Sequence, residues 1–240
     1  MDLCKKKTGA GSPEAPEHES GPTWIWTALD TSTRLLIAFW IGGREVADAR
    51  HLLDTLCARG GAQKPLFVSD ELSHYGTVLE ERFHQEIPSP PTGKRGRPKN
   101  PERVIDPDLD YATVHKTREH GRVIKVEKRV VYGSESSVQD RLENSPSQTI
   151  NTAYVERTNL NWRVWDAHLT RKGLTFAHAR RWLRAKFAIT VAVYDLVRPH
   201  ETLSRGQDRI FRPTTPGMAA KVTTHPWTVL ELICYPVKCQ

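Results

Sequence analysis

Two β-type runs joined by a four-residue turn constrain this chain more than any other feature. TWIWTAL (residues 23–29) and RLLIAFWI (residues 34–41) are rich in Trp, Ile and Phe, and DTST between them is a turn signal. The pair predicts an antiparallel hairpin whose Trp24, Trp26 and Trp40 look like core residues. Gly42-Gly43 ends the second strand. Val46, Ala49, Leu52, Leu53 and Leu56 then recur at helical spacing until Gly60-Gly61 stops the pattern. PLFVS (residues 65–69) is a short apolar run of the buried-strand type. It delivers Asp70 at its carboxyl end, where ligands gather in α/β sheets. SDELSHYGTVLEERF predicts a cap and a helix to about Phe83.

Periodicity then breaks. Residues 88–110 are Pro-rich, basic at the start and acidic at the end, and read as a loop. Tyr111 to Tyr132 alternates in strand fashion, a hairpin whose polar face is mostly Lys and Arg, and residues 134–148 read as a polar linker. Regular structure resumes at NTAYVERTNLNWR (residues 151–163). Asn151 or Thr152 can cap a helix there, Gly173 can end it, and Val155, Trp162, Trp165 and Leu169 form an apolar stripe. Glu156 and Arg163 are seven residues apart on nearly one face, with Asn159 between them, pointing away from that stripe. By itself this pattern also fits a plain surface helix. Thr175 can cap a second long helix carrying Phe176, Leu183, Phe187, Val191 and Tyr194, which ends at Arg198-Pro199. The Pro-rich tail from Gly206 predicts an irregular wrap with one short helix near Thr228 to Ile233.

Charge is segregated. The net charge is +7, but residues 1–87 carry 9 Lys and Arg against 13 Asp and Glu, a net of −4. Residues 88–131 carry 11 against 6, a net of +5, and residues 155–205 carry 10 against 4, a net of +6. Such clustering favours a polyanionic partner, nucleic acid before membrane, while a solvated basic face is a common alternative. Cys4, Cys57, Cys234 and Cys239 contain no C-x-x-C pair, which argues against a zinc ribbon. Cys234 and Cys239 could pair under oxidising conditions, but with no signal-peptide pattern the expectation is reduced thiols. The longest apolar run, Leu35 to Ile41, is too short to span a bilayer, so a soluble, cytoplasmic protein with no membrane partner is expected.

Hairpin, helix, strand ending in Asp, insertion and Glu-bearing helix is the element order of an α/β ribonuclease H-like fold. That fold predicts a mixed central sheet flanked by helices, here with an inserted basic β-hairpin region. The expected segments are a flexible linker (1–22), the first part of the core (23–87), the basic insertion (88–148), the core helices (149–205) and the tail (206–240). WTALDTSTRLLIAFWIGGRE, FVSDELSHY, YVERTNLNWR, YDLVRPHETL and RPTTPGMAA, in that order, resemble the DDE-class transposases of bacterial insertion sequences, most nearly the family of insertion sequence one. The resemblance covers residues 23–87 and 150–235.

The resemblance implies metal-dependent cleavage and joining of DNA strands at the ends of a mobile element. Two Mg²⁺ ions, replaceable by Mn²⁺, would lie about 4 Å apart in such a site, with no small-molecule cofactor. Asp70 and Glu156 match the second and third acidic positions, 86 residues apart because of the insertion. Arg163 matches the basic residue two turns after the Glu, in a position to hold DNA, with Asn159 beside it. For the first acid three readings stand. It is Asp30, although that residue falls in the hairpin turn; or it is Asp2, in a remnant Asp2-Leu3-Cys4-Lys5 of a preceding strand; or it is absent. The zinc-binding and helix-turn-helix region of family members has no counterpart here, so the resemblance implies a catalytic core from a truncated gene. Synapsis of two DNA ends implies a homo-oligomer, and the expected location is the bacterial cytoplasm, on the nucleoid when DNA is bound.

Other residues carry weaker readings. Lys94, Arg95, Arg97 and Lys99 surround a Gly-Arg-Pro that reads either as an AT-hook in a narrow minor groove or as a solvated basic loop. His200 in RPHETL is expected to order the turn after the long helix. Glu71 is expected to point away from Asp70 by strand alternation. Two competing functions are an inactive transposase remnant that binds DNA nonspecifically, and a ribonuclease H-like nuclease unrelated to transposition.

Overall fold

The computed structural model describes residues 23–60, 64–87, 100–170, 175, 177, 179–205 and 210–236, and the fold is mixed α/β. The chain packs as two compact units, one from residues up to Arg59 and from Ala153 onward, the other from Gly60 to Thr152. Among the described residues the expected single central sheet is instead three small sheets, of two, three and two strands.

The first unit is built on the predicted hairpin. β1 (Trp24–Leu29) and β2 (Leu36–Gly42) pair antiparallel from Trp24 opposite Gly42, with an irregularity at Ala28/Leu29. Arg34, expected to open the second strand, lies in the turn at φ 63° and is buried, its guanidinium over the Tyr154 ring at 3.8 Å. Helix α1 (Val46–Arg59) buries Ala49, Leu52 and Leu53 as its spacing predicts. Helix α4 (Ala153–Trp165) contacts β1 and α5 (Arg180–Ala192) contacts β2. Leu36, Ile41, Trp162, Leu169, Leu183, Phe187, Val191 and Tyr194 form the core, with Trp162 edge-on to Phe187 and Tyr194 at 5.5 and 4.9 Å. Aromatic pairs in this geometry contribute about 0.5–1.5 kcal/mol beyond their area.

The helix boundaries differ from the sequence expectation for local reasons. The Glu156 helix stops at Trp165, short of Gly173, because the Asp166 carboxylate accepts the N–H of His168 and starts a 3-10 turn, Ala167–Leu169. The second long helix begins at Arg180 rather than Thr175, and Thr175 instead donates its hydroxyl to Ala167 O at 2.9 Å. It continues as a π turn, Val193–Val197, before Arg198-Pro199 ends it as predicted. Two short helices were not expected, α6 (Glu201–Ser204) at the end of the core segment and α7 (Pro216–Ala219) in the tail. α8 (Val229–Cys234) was, and the Thr228/Glu231 capping box fixes its start.

In the second unit β3 (Phe67–Asp70) runs parallel to β6 (Tyr111–Glu119), which pairs antiparallel with β7 (Arg122–Tyr132). Residues 88–148, expected as an insertion laid onto the main sheet, contribute strands to the sheet that carries Asp70. β6 is the middle strand of the sheet that carries Asp70, and its first residues Tyr111, Ala112, Thr113 and Val114 are buried. Beyond them the ribbon is solvent-exposed along most of β7, as its charges predict. Helix α2 (Ser73–Arg82) follows β3 as expected, and β4 (His84–Ile87) pairs with β5 (Glu102–Ile105) where only loop was expected. The supposed linker 134–148 contains α3 (Glu135–Glu143), capped by Ser134 and buried through Val138 and Leu142. Asp110 anchors it. The buried carboxylate accepts from Ser137 Oγ at 2.7 Å and pairs with Arg141.

Candidate functional site

Asp70 ends β3 and is exposed, so the strand presents a carboxylate at its carboxyl end beside the parallel partner β6. Burial is the main cause that raises the Tyr75 and Tyr111 hydroxyls above their usual range, and the negative charge of Asp70 adds to both. Tyr111 Oη lies 2.8 Å from Ser69 Oγ. The Glu71 carboxylate meets His115 Nδ1. Together with Thr113, Glu127, Lys128 and Arg129 they line a groove of about 300 Å³. Alternation sends Asp70 to the opposite face from Ser69.

Asp30 is engaged in the turn. Its carboxylate accepts the backbone N–H of Ser32 at 3.0 Å and of Thr33 at 3.1 Å, and also the Thr33 hydroxyl. Both oxygens therefore hold the hairpin turn, an Asx arrangement typical of Asp at this position.

Glu156 lies in the first turn of α4 and is exposed, while Arg163 lies in its last turn and is half-buried. Asn159 faces the hairpin, with its Oδ1 3.5 Å from the Thr27 hydroxyl. His200 stands at the start of α6 after the π turn. Its N–H donates to Thr214 O and its carbonyl accepts from Ser204 N, both at 2.9 Å. Its Nδ1 is buried with no hydrogen-bond partner among the described residues. Burial lowers its pKa, with Arg34 and Arg157 adding to the effect. The imidazole ring stands edge-on to Tyr194 with the ring centres 6.3 Å apart, while the backbone hydrogen bonds of His200 span the reversal.

Asp70 belongs to the second unit and Glu156, Asn159, Arg163 and Asp30 to the first. Asp2, Lys94, Arg95, Arg97 and Lys99 lie outside the described residues, as do Cys4 and Cys239. Cys57 and Cys234 are free thiols. Among the described residues no group of three His, Cys, Asp or Glu side chains forms a metal site, and no helix is long and apolar enough to cross a membrane.

Sequence reading missed one group of residues. Trp24 and Trp40 are only partly buried, and each lies under a guanidinium, Arg44 at 4.7 Å from the Trp24 ring and Arg184 at 4.6 Å from the Trp40 ring. The available signal was RRWLRAK at the head of the second helix, three arginines and a Trp within five residues. No protein-family model matches the chain, and comparisons with curated proteins and with solved structures give no match.

Proposed function

We propose that the chain is a ribonuclease H-like catalytic core that processes DNA by phosphoryl transfer, a transposase of the DDE class. The observation that carries this reading is Asp70, an exposed carboxylate at the end of β3 beside a parallel strand, the place where α/β sheets hold their ligands. The exposed Glu156 and the later Arg163 on one helix agree with it. Asp70 and Glu156 offer the hard oxygen donors that Mg²⁺ prefers, and bound Mg²⁺ would supply charge neutralisation at a phosphate. Asp30 has both oxygens engaged by Ser32 and Thr33 in the turn, which weighs against it as the first acid. The chain's own part is to place phosphates, with the half-buried Arg163 at the end of α4 as one contact. DNA is the partner, with assembly on paired DNA ends, in the cytoplasm.

That same use of Asp30 favours a second reading, a core that binds DNA without cutting it. Nicking of a supercoiled plasmid in Mg²⁺ or Mn²⁺ separates the two. Activity lost in Asp70→Asn and Glu156→Gln supports the enzyme. Activity that also disappears in Asp2→Ala, but not in Asp30→Asn, places the first acid at Asp2. A chain that binds DNA in a salt-sensitive way and never nicks it is the inactive form. Nicking retained in both Asp70→Asn and Glu156→Gln removes the enzyme reading.

A further inference from the structure

Three segments of the first unit converge on Arg34 and leave positive charge there without a carboxylate. Arg34 is only 7% exposed. Its guanidinium lies over the Tyr154 ring at 3.8 Å, and Nη1 donates to Thr31 O. Its carbonyl accepts the Tyr194 hydroxyl at 2.9 Å, and the Tyr194 ring stands edge-on to His200 at 6.3 Å. Arg157, one turn after Tyr154 on α4, is exposed. A charge taken out of water is costly unless it is paired, so a buried guanidinium normally meets a carboxylate. Arg34 meets none among the described residues. A guanidinium carries donors on every nitrogen, yet the one hydrogen bond of this group goes to a neutral carbonyl. The buried Nδ1 of His200 is likewise unpartnered among the described residues. Orphaned buried polar groups of this kind call for an ion or a ligand.

The electrostatics agree. Burial is the first cause that lowers the His200 pKa, Arg34 and Arg157 lower it further, and Glu201 opposes them as the smallest contribution. Both guanidinium groups therefore act on one imidazole, and together they outweigh the single carboxylate that acts there. The acids nearby are engaged elsewhere. Glu201 pairs with Arg205 at 2.7 Å, Asp30 holds Ser32 and Thr33, and Asp195 holds the Leu36 N–H. Glu156 precedes Arg157 on α4 and points about 100° round the helix from it.

We propose that Arg34, Arg157 and His200 form an anion site that binds a phosphate group, with Arg157 on its solvent side. The two guanidinium groups give charge-assisted hydrogen bonds, and His200 gives a further donor in its Nδ1–H tautomer. A phosphate suits donors from three separate segments because its acceptor oxygens point in different directions. The site uses none of the carboxylates assigned to phosphoryl transfer. It holds a phosphate of a nucleic-acid strand and a free phosphate by the same contacts.

The test uses the full chain and the imidazole ¹H–¹⁵N spectrum, with the His200 signal assigned from His200→Gln. Inorganic phosphate is titrated against chloride at constant ionic strength, and a 20-base-pair DNA duplex is titrated separately. Occupancy should move the His200 signal toward the imidazolium, since a neighbouring negative charge favours the protonated ring. Arg157→Gln changes an exposed side chain and should weaken phosphate binding about 10-fold. If the source is a nucleic-acid backbone, the duplex moves the same signal, and Arg157→Gln lowers duplex affinity and flattens its salt slope by about 0.9. If the source is a free phosphate, only inorganic phosphate moves the signal, and duplex affinity is unchanged in Arg157→Gln. Either result supports the site. A chain that binds phosphate here but no DNA removes the transposase reading alone. A His200 signal that neither probe moves overturns the inference, as does wild-type phosphate affinity in Arg157→Gln, and both leave the functional reading to its own nicking test.

Discussion

Asp195 Oδ1 accepts the backbone N–H of Leu36 at 3.1 Å, joining the π turn after α5 to the start of β2 across 159 residues. The adjacent Tyr194 donates its hydroxyl to Arg34 O at 2.9 Å, so one turn of helix holds both the hairpin turn and the strand that follows it. The π turn lets consecutive residues reach these two acceptor and donor sites, and such bulges recur where a helix must present side chains off its regular register.

This relationship makes stability depend on pH. Burial pushes the Asp195 carboxyl up to about 7, against the opposing hydrogen bond from Leu36 and the charge of Arg59. A carboxyl that is harder to ionise when folded favours the fold while protonated. The contribution is full below the unfolded value near 4 and is lost as pH rises through about 7. Urea unfolding at pH 5 and pH 8.5 should show the wild type weaker at the higher pH, by up to about 4 kcal/mol. Asp195→Asn keeps an oxygen for Leu36 N–H and should remove most of that difference.

Asp166 has the opposite sign. Burial raises its pKa, but the Lys186 ammonium at 2.7 Å and the His168 N–H at 2.9 Å outweigh it, and the carboxyl ends below its usual range. Stability from this group is present at neutral pH and is lost as pH falls through the lowered value. Lys186→Met removes the cation and leaves a buried carboxylate at the end of α4, and it should cost on the order of 3 kcal/mol at pH 7. The same substitution should cost much less at pH 3, read by thermal melting at both pH values.

Much of the fold could be read because several elements carry their own signal. DTST between two aromatic strands, Leu183, Phe187 and Val191 at helical spacing, and Thr228 three residues before Glu231 each specify local structure without help from distant residues. What could not be read depends on tertiary partners. Helix α3 is polar apart from Val138 and Leu142, and what secures it is Asp110, 25 residues before its first residue. Strand β6 looks like half of an independent hairpin until β3 supplies its parallel partner. Among the candidate acids, Asp70 and Glu156 are solvent-facing where their elements predicted. Asp30 was legible as a turn residue from DTST, and its carboxylate accepts from Ser32 and Thr33 as an Asx turn does. Trp24 and Trp40 read as core because hydrophobicity alone does not reveal a cation across the ring.

Gly133 is required where it stands. Its φ is +87°, and a Cβ there would lie 1.9 Å from Asp110 Oδ1, the carboxylate that holds α3. Gly133→Ala must strain the backbone and displace that anchor, at a cost of about 2 kcal/mol or more. Urea unfolding should report the loss, and amide exchange should show α3 opening first. Gly121, also at positive φ but with open space around it, should lose only about 1 kcal/mol on the same change.

Asp30 gives the decisive comparison between a turn residue and a ligand. With three hydrogen bonds on its two oxygens, Asp30→Ala should lower stability by about 1–2 kcal/mol. Asp30→Asn, which keeps one acceptor oxygen, should lose about half of that. If the carboxylate serves only the turn, both variants bind nucleic acid with wild-type affinity and salt slope at 25 °C, and Mg²⁺ shifts the melting temperature of wild type and variant equally. A metal-dependent stabilisation seen in the wild type and lost in Asp30→Asn would mean that the turn releases this carboxylate to a cation, and Asp30 would then be the first acid of the site.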